Sequence, residues 1–246
     1  MKQSGLGDRL VVAGYDLSGD INSLGRIGGG NAPLEVTGID KSAKERIGGL
    51  RDGAIEFTSY FNPVTERAHE RFSSLPTSDQ VVTYLRGTTL GNAAACMVAK
   101  QINYDGSRGD SGEFTFDVQA LANSYGLEWG TQLTAGVRTD TTATSGDSID
   151  FGAATSYGLQ AYLHVTAFTG TSVTVKLQES SDDGDSDSWA DVTGGGFTAA
   201  TGVTSQRITT ARDQDVEQYL RVVTTGTFSS ASFVVVVVKN DLLTVF

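Results

Sequence analysis

The sequence is poor in most of what builds a redox, metal or membrane-spanning protein. One cysteine, Cys96, stands in 246 residues. It has no partner for an internal disulfide, and its AACMVA setting reads as an apolar packing position. With only two histidines, His69 and His164, no zinc-ligand spacing is present. No apolar run approaches the roughly 18 residues of a spanning helix. The polar opening MKQSGLGDR lacks the apolar region of a secretory signal, so none is expected. Positive charge is the scarcer sign, 18 Lys and Arg against 29 Asp and Glu, for a net charge of −11. Residues 1–149 hold 13 basic against 18 acidic groups, and residues 150–246 hold 5 against 11. A domain that grips nucleic acid usually presents a basic patch, so tight binding is not expected. Acidic walls past which nucleic acid slides without sticking remain compatible with this charge.

What is present favours strands and turns: 30 Gly, only 3 Pro, and abundant Thr, Ser and Val. Period-2 patterning places strands at Leu10–Ala13, Leu34–Val36, Ala54–Phe61, Val81–Arg86, Ala95–Tyr104, Glu113–Ala120 and Thr131–Arg138. One helix is expected over NPVTERAHERF. There Asn62 can cap, Pro63 suits the first position, and Val64, Ala68 and Phe72 form a stripe for packing on a sheet. TDTTATSGDS, from Thr139, has no apolar period and reads as a linker, 139–149. Beyond it, strands at Tyr157–Phe168, Ser172–Glu179, Ser205–Thr209, Gln218–Thr224 and Ser232–Lys239 suggest a second β-sandwich over 150–246. The uniformly apolar SFVVVVVKN should be covered on both faces.

Several short motifs invite a chemical reading. GYDLSGDINSLGRIGGGNAP combines two aspartates with a glycine cluster, yet it has neither the G-x-G-x-x-G spacing nor the Lys-Ser/Thr of a phosphate loop. Its residue types favour a surface turn between strands. GSRGDSGE, with the chain order His69, Asp79, Ser111, evokes a serine-protease triad but lacks the flanking sequence of those enzymes. A polar hairpin tip is the simpler reading. The R-G-D tripeptide there is too short to carry weight. In SDDGDSDSWAD, Asp183, Asp185 and Asp187 mimic the start of a calcium loop, but Ser188 and Gly194 stand where Gly and Glu are needed. A solvated acidic turn is expected there, with a weak surface calcium site left open. His164, within LQAYLHVTAF, reads as a sheet-face residue. Tyr162 and Trp189 are candidates for core packing or for an aromatic platform. No catalytic, cofactor or metal set emerges, and an enzyme is not expected.

The stretch LEVTGIDKSAKERIGGLRDGAIEFTSYFNP resembles the signature region of tail tube (major tail) proteins of long-tailed, siphovirus-type bacteriophages: a strand, a charged excursion, the turn GLRDG, a strand, and a short helix. GYDLSGDINSL, NAAACMVAKQINYD, YGLEWGTQLTAG, WADVTGGGF and RDQDVEQYLRVV are similar to the actinobacteriophage branch. The resemblance implies a mostly β chain. Residues 1–138 would be a tail-tube sandwich or open barrel with an N-terminal arm and a stacking loop, and 150–246 a β-sandwich decoration. In the N-terminal arm Asp16, Asp20 and a bend at Gly28–Gly30 would serve geometry. It further implies hexameric rings stacked into a virion tail tube, made in the host cytoplasm, that conducts DNA during ejection without binding it tightly. Lys41, Lys44, Arg46 and Arg51 would meet the adjacent ring, and Glu113 and Asp117 would face the bore. Other copies of itself, tape measure and terminator proteins would be the partners, with weak host-surface or glycan contact through 150–246. A head decoration protein or a host-binding tail-end protein is the alternative.

Overall fold

The computed structural model describes residues 4–242. Its first strands are β1 (Arg9–Val12), β2 (Tyr15–Asp16), β3 (Ile21–Glu35), β4 (Arg46–Tyr60), β5 (Gln80–Leu85), β6 (Ala93–Gln101), β7 (Asp105–Arg108) and β8 (Phe114–Ala122). They continue as β9 (Glu128–Gln132), β10 (Arg138–Asp140), β11 (Ser145–Asp150), β12 (Leu159–Ser180), β13 (Ala190–Gly196), β14 (Thr204–Thr209) and β15 (Tyr219–Lys239). One short helix, α1 (Ala68–Ser73), interrupts them, so the chain is mostly β. It divides into two compact units: Met1–Gly19, Thr83–Cys96 and Trp129–Phe246 form the first, Asp20–Val82 and Met97–Glu128 the second.

The second unit is built on β4. On one side β4 pairs with β3 from Ile21↔Ser59 to Glu35↔Arg46, and on the other with β8 from Ala54↔Leu121 to Tyr60↔Thr115. The far side of β8 takes β7 and the end of β6. Alternation sets the faces: Ile55, Phe57 and Ser59 point inward with Phe116, Val118 and Ala120, whereas Glu56, Thr58, Asp117 and Gln119 point outward. Helix α1 lays Ala68 and Phe72 on the inner face, with Phe72 5.3 Å from Phe57 between ring centroids. Each large apolar side chain buried there contributes about 1.5–3 kcal/mol.

That helix is shorter than the sequence predicts. Asn62 caps only a turn, accepting the Val64 N–H, and Glu66 takes a left-handed φ of 66° that halts helical continuation at Pro63–Arg67. Val64 therefore leaves the stripe and is 62% exposed. Asp20 serves α1 from a distance, one carboxylate oxygen accepting the Ala68 N–H at 3.2 Å and the other the Asn62 amide at 2.8 Å.

In the first unit β15 is flanked on both sides at Tyr219–Val223, Ala231–Phe233 and Val236–Val237. It pairs with β12 from Leu159↔Lys239 to Ser180↔Tyr219, and its other edge takes β11, β10 and β9 in turn. β14 and β13 flank β12. The core comprises Leu159, Leu163, Val175, Leu177, Leu220, Phe233, Val235 and their neighbours. Phe233 to Val237 are all fully buried, as the uninterrupted apolar run requires. The expected break near residue 170 does not divide β12. Gly170 and Gly226, with φ of 154° and 126°, bend the paired strands instead, and a Cβ on Gly226 would stand 2.3 Å from the Ser172 carbonyl oxygen.

The segment read as a linker is largely strand. Arg138 and Asp140 form a 2.7 Å ion pair on β10, Thr224 donates to buried Asp140 at 2.6 Å, and β11 runs along β15. Side-chain pairing, absent from any apolar period, fixes it there.

Candidate assembly surfaces

The least supported part of the second unit is the β3–β4 hairpin. From Gly29 to Asp52 no residue is buried. The region read from sequence as a Gly28–Gly30 bend, and the turn Gly49–Gly53, are both strand, Gly30 facing Asp52 and Gly29 facing Gly53. Glycine has little strand preference of its own, so pairing imposes the extended state. Leu34 and Ile47 stand opposite each other, and Leu34, Val36, Ile39, Ile47 and Leu50 are all exposed, Leu50 at 87%. An isolated two-stranded hairpin is at best marginally stable in water.

Lys41, Lys44, Arg46 and Arg51, already clustered in sequence, all lie on this arm, the first two between β3 and β4 and the last two on β4. Lys44 pairs with Glu35 at 2.7 Å, and Lys41 with Glu45 at 3.4 Å. Arg46 opens β4 opposite Glu35, and Arg51 faces Asn31. β3 pairs only with β4, and β7 only with β8, so both strands leave one edge open among the described residues.

Of the two carboxylates expected to alternate along one strand, Asp117 lies on the outward face of β8, accepting the Thr58 hydroxyl at 2.8 Å. Glu113 instead belongs to the turn before β8, where its carbonyl accepts the Gly109 N–H. A second carboxylate on that face, Glu56, escaped the sequence reading: Gln119 donates to it at 2.9 Å and Arg26 approaches to 4.0 Å. The alternation of IEFTSYF was the available signal. Glu56, Thr58, Asp117 and Gln119 line a cleft of about 360 Å³ with Asn103 and Gly25.

At the end of β4 remote from the arm tip lies an aromatic cluster. Tyr104 stacks on Phe116 at 4.0 Å and 7°, and Phe61 lies 4.5 Å from His69 and 5.3 Å from Phe114. His69 Nδ1 is 3.1 Å from the Tyr104 hydroxyl, and burial pushes the Tyr104 phenol up to about 12. Asp79 accepts hydrogen bonds from Lys100 and Asn123, which hold its carboxyl below the usual range. His69 and Asp79 thus serve different partners, and Ser111 sits in the turn between β7 and β8.

The acidic turn organises itself. Asp182 accepts the Ser186 and Asp187 N–H groups, Asp187 accepts Ser181, and Asp183 accepts the Ser148 hydroxyl. Among the described residues no group of three His, Cys, Asp or Glu is placed to hold a metal ion. Tyr162 is fully buried, its hydroxyl accepting Arg207, while Arg221 lies 4.3 Å over the Trp189 ring. Asp16 accepts Arg9 and Ser18. His164 goes beyond a sheet-face role: it is fully buried, Nδ1 accepts the Gly14 N–H at 3.1 Å and Nε2 bonds Thr83 at 2.8 Å. Because Nδ1 accepts, the ring proton sits on Nε2, and burial lowers the imidazole pKa to about 3.

No protein-family model and no curated protein matches the chain. Among solved structures, a chain of the virion of a native gene transfer agent particle is similar at a TM-score of 0.42 and 14% identity, over 52% of this chain and 98% of that one. A chain of the phage p2 baseplate in its activated conformation is similar at a TM-score of 0.36 and 8% identity, over 96% and 99%. The Dit protein of phage SPP1, described as a hub adsorption apparatus, is similar at a TM-score of 0.33 and 11% identity, over 94% of this chain and 99% of that one.

Proposed function

We propose that the chain is a structural protein of a phage-type tail whose copies close into hexameric rings and stack into a tube. The exposed β3–β4 arm carries this reading. It is a 15-residue strand pair with an unpaired outer edge and five exposed large apolar side chains, and its tip and β4 fall within the stretch that resembles tail tube proteins. Edge strands of this length invite pairing with another chain. Addition of β3 to the open edge of β7 in a neighbouring copy would continue the sheet around a ring.

In this arrangement the second unit, Asp20–Val82 with Met97–Glu128, supplies the tube wall in place of the contiguous 1–138 domain expected from sequence, because 1–19, 83–96 and 129–138 join 150–246 in the first unit, and the basic arm residues Lys41, Lys44, Arg46 and Arg51 meet the next ring. The outward face with Glu56 and Asp117 lines the bore, where a few carboxylates per copy recur around every ring. Transiting DNA then meets a repulsive wall, in keeping with the net charge of −11. The tape measure and terminator proteins are the partners expected inside and at the end of such a tube.

Negative-stain microscopy of the purified chain tests this. Long hollow filaments of uniform width are expected. Single rings that never stack would assign the chain to a tail-end ring, and a solitary monomer would overturn the assembly reading altogether.

A further inference from the structure

The amino-terminal hairpin is fastened to the first unit through a buried chain of polar contacts. β1 and β2 pair only at Val11↔Asp16 and Val12↔Tyr15, and they end the sheet beyond β5. Their turn, Ala13 and Gly14, has φ of 51° and 91°, and the first of these is a left-handed conformation that a Cβ makes costly. The turn is nonetheless closely seated. A Cβ on Gly14 would stand 2.8 Å from Val203 Cγ1, 2.9 Å from the Thr204 carbonyl oxygen and 3.0 Å from that of Val165. The Gly14 N–H donates to His164 Nδ1 at 3.1 Å, Nε2 donates to the Thr83 hydroxyl at 2.8 Å, and that hydroxyl donates to Cys96 Sγ at 3.4 Å. The start of β1 is tied separately, because Asp8 accepts Arg86 at 2.7 Å and the Gly87 N–H at 3.0 Å.

This chain of bonds accepts one protonation state of the ring. A proton on Nδ1 would set two N–H groups against each other and place a cation in a fully buried site. The titratable or charged groups about the ring are Cys96 on β6 behind Thr83, Tyr162 two residues earlier on the same face of β12, and Arg207 opposite Tyr162 on β14. None of them is a carboxylate, and on the hairpin Asp16 is engaged by Arg9 and Ser18. We propose that the β1–β2 hairpin is a latch on the first unit, released when His164 takes up a proton while β12 and β15 stay paired. Closed, the hairpin holds the ring neutral; open, it uncovers the ring, which then titrates near its ordinary value of 6.5. Falling pH therefore favours the open form, and the opening constant rises about 25-fold from pH 7 to pH 5. Because β2 runs through Ser18–Asp20 straight into β3, release also frees the segment that leads into the arm.

Amide hydrogen exchange of the full chain, read by mass spectrometry between pH 7 and pH 5 and corrected for the intrinsic pH dependence of exchange, tests this. Residues 10–17 report the hairpin, with the Gly14 N–H on His164 and the Leu17 N–H on the Leu10 carbonyl. Residues 233–238 report the centre of the first unit. Residues 10–17 are expected to open more readily than 233–238 at pH 7, and their opening constant to rise about 25-fold by pH 5. His164→Asn keeps an acceptor for Gly14 and His164→Gln keeps a donor for Thr83, and neither takes up a proton. In either variant the pH response of residues 10–17 is expected to disappear.

An equal pH response in the variants assigns the release to other groups and overturns the latch. Exchange of residues 10–17 in step with 233–238 at every pH overturns it as well, because the hairpin then opens only with the whole unit. So does a flat response in the unaltered chain, which would mean that the ring stays covered when the hairpin moves.

Discussion

Acidification should weaken the first unit through His164 alone by an amount that can be isolated. The imidazole titrates near 6.5 when free and near 3 when folded, where burial excludes the charged form. Between those values the unfolded chain binds a proton that the folded chain refuses, so stability is full above about pH 6.5 and falls as pH drops toward 3. At about 1.36 kcal/mol per pKa unit, the loss relative to pH 7 is about 2 kcal/mol at pH 5 and about 3 kcal/mol at pH 4. Carboxylates also titrate in this range, so the measurement is a difference between two proteins. His164→Asn keeps an acceptor for the Gly14 N–H and cannot be protonated. It is expected to be less stable than the unaltered chain at pH 7, because the ring leaves a void, but to lose about 2 kcal/mol less between pH 7 and pH 5. Urea denaturation of both proteins at pH 7, 5 and 4 reads this directly. Parallel loss in the two proteins would refute the reasoning, since His164 would then carry none of the acid sensitivity.

Two further outcomes follow from close contacts in the second unit. A Cβ on Gly53 would lie 2.6 Å from the backbone nitrogen of Leu127, so Gly53→Ala should destabilise that unit by about 1–3 kcal/mol, visible as a lowered thermal midpoint. Asp20→Ala removes the acceptor of the Ala68 and Asn62 donors and should cost about 1–2 kcal/mol in urea, with faster proteolysis near α1, while Asp20→Asn should cost less.

The parts of the fold readable in sequence are those where one side chain's chemistry suffices. The apolar run at Phe233–Val237 demanded cover on both faces, and Ala68 and Phe72 declared the inner side of α1. What escaped depends on partners distant along the chain. The glycines of β3 carry no strand signal and are extended because β4 lies beside them. β10 and β11 are polar and are held through Asp140, Thr224 and the β15 backbone. The basic residues of the arm were legible as a cluster, but the aromatic patch was not. Phe61, Phe114, Phe116 and Tyr104 meet only once β4, β8 and the segment after β6 are in register.

The hydrogen bond from Gly14 to His164 spans 150 residues of chain. At a synthesis rate of roughly 5–20 residues per second, the amino-terminal strand waits on the order of ten seconds or more for its acceptor to leave the ribosome. The second unit, encoded wholly between the outer segments of the first, has all its strands in hand well before then. Nascent chains therefore carry a finished arm while the rest of the molecule is still being made.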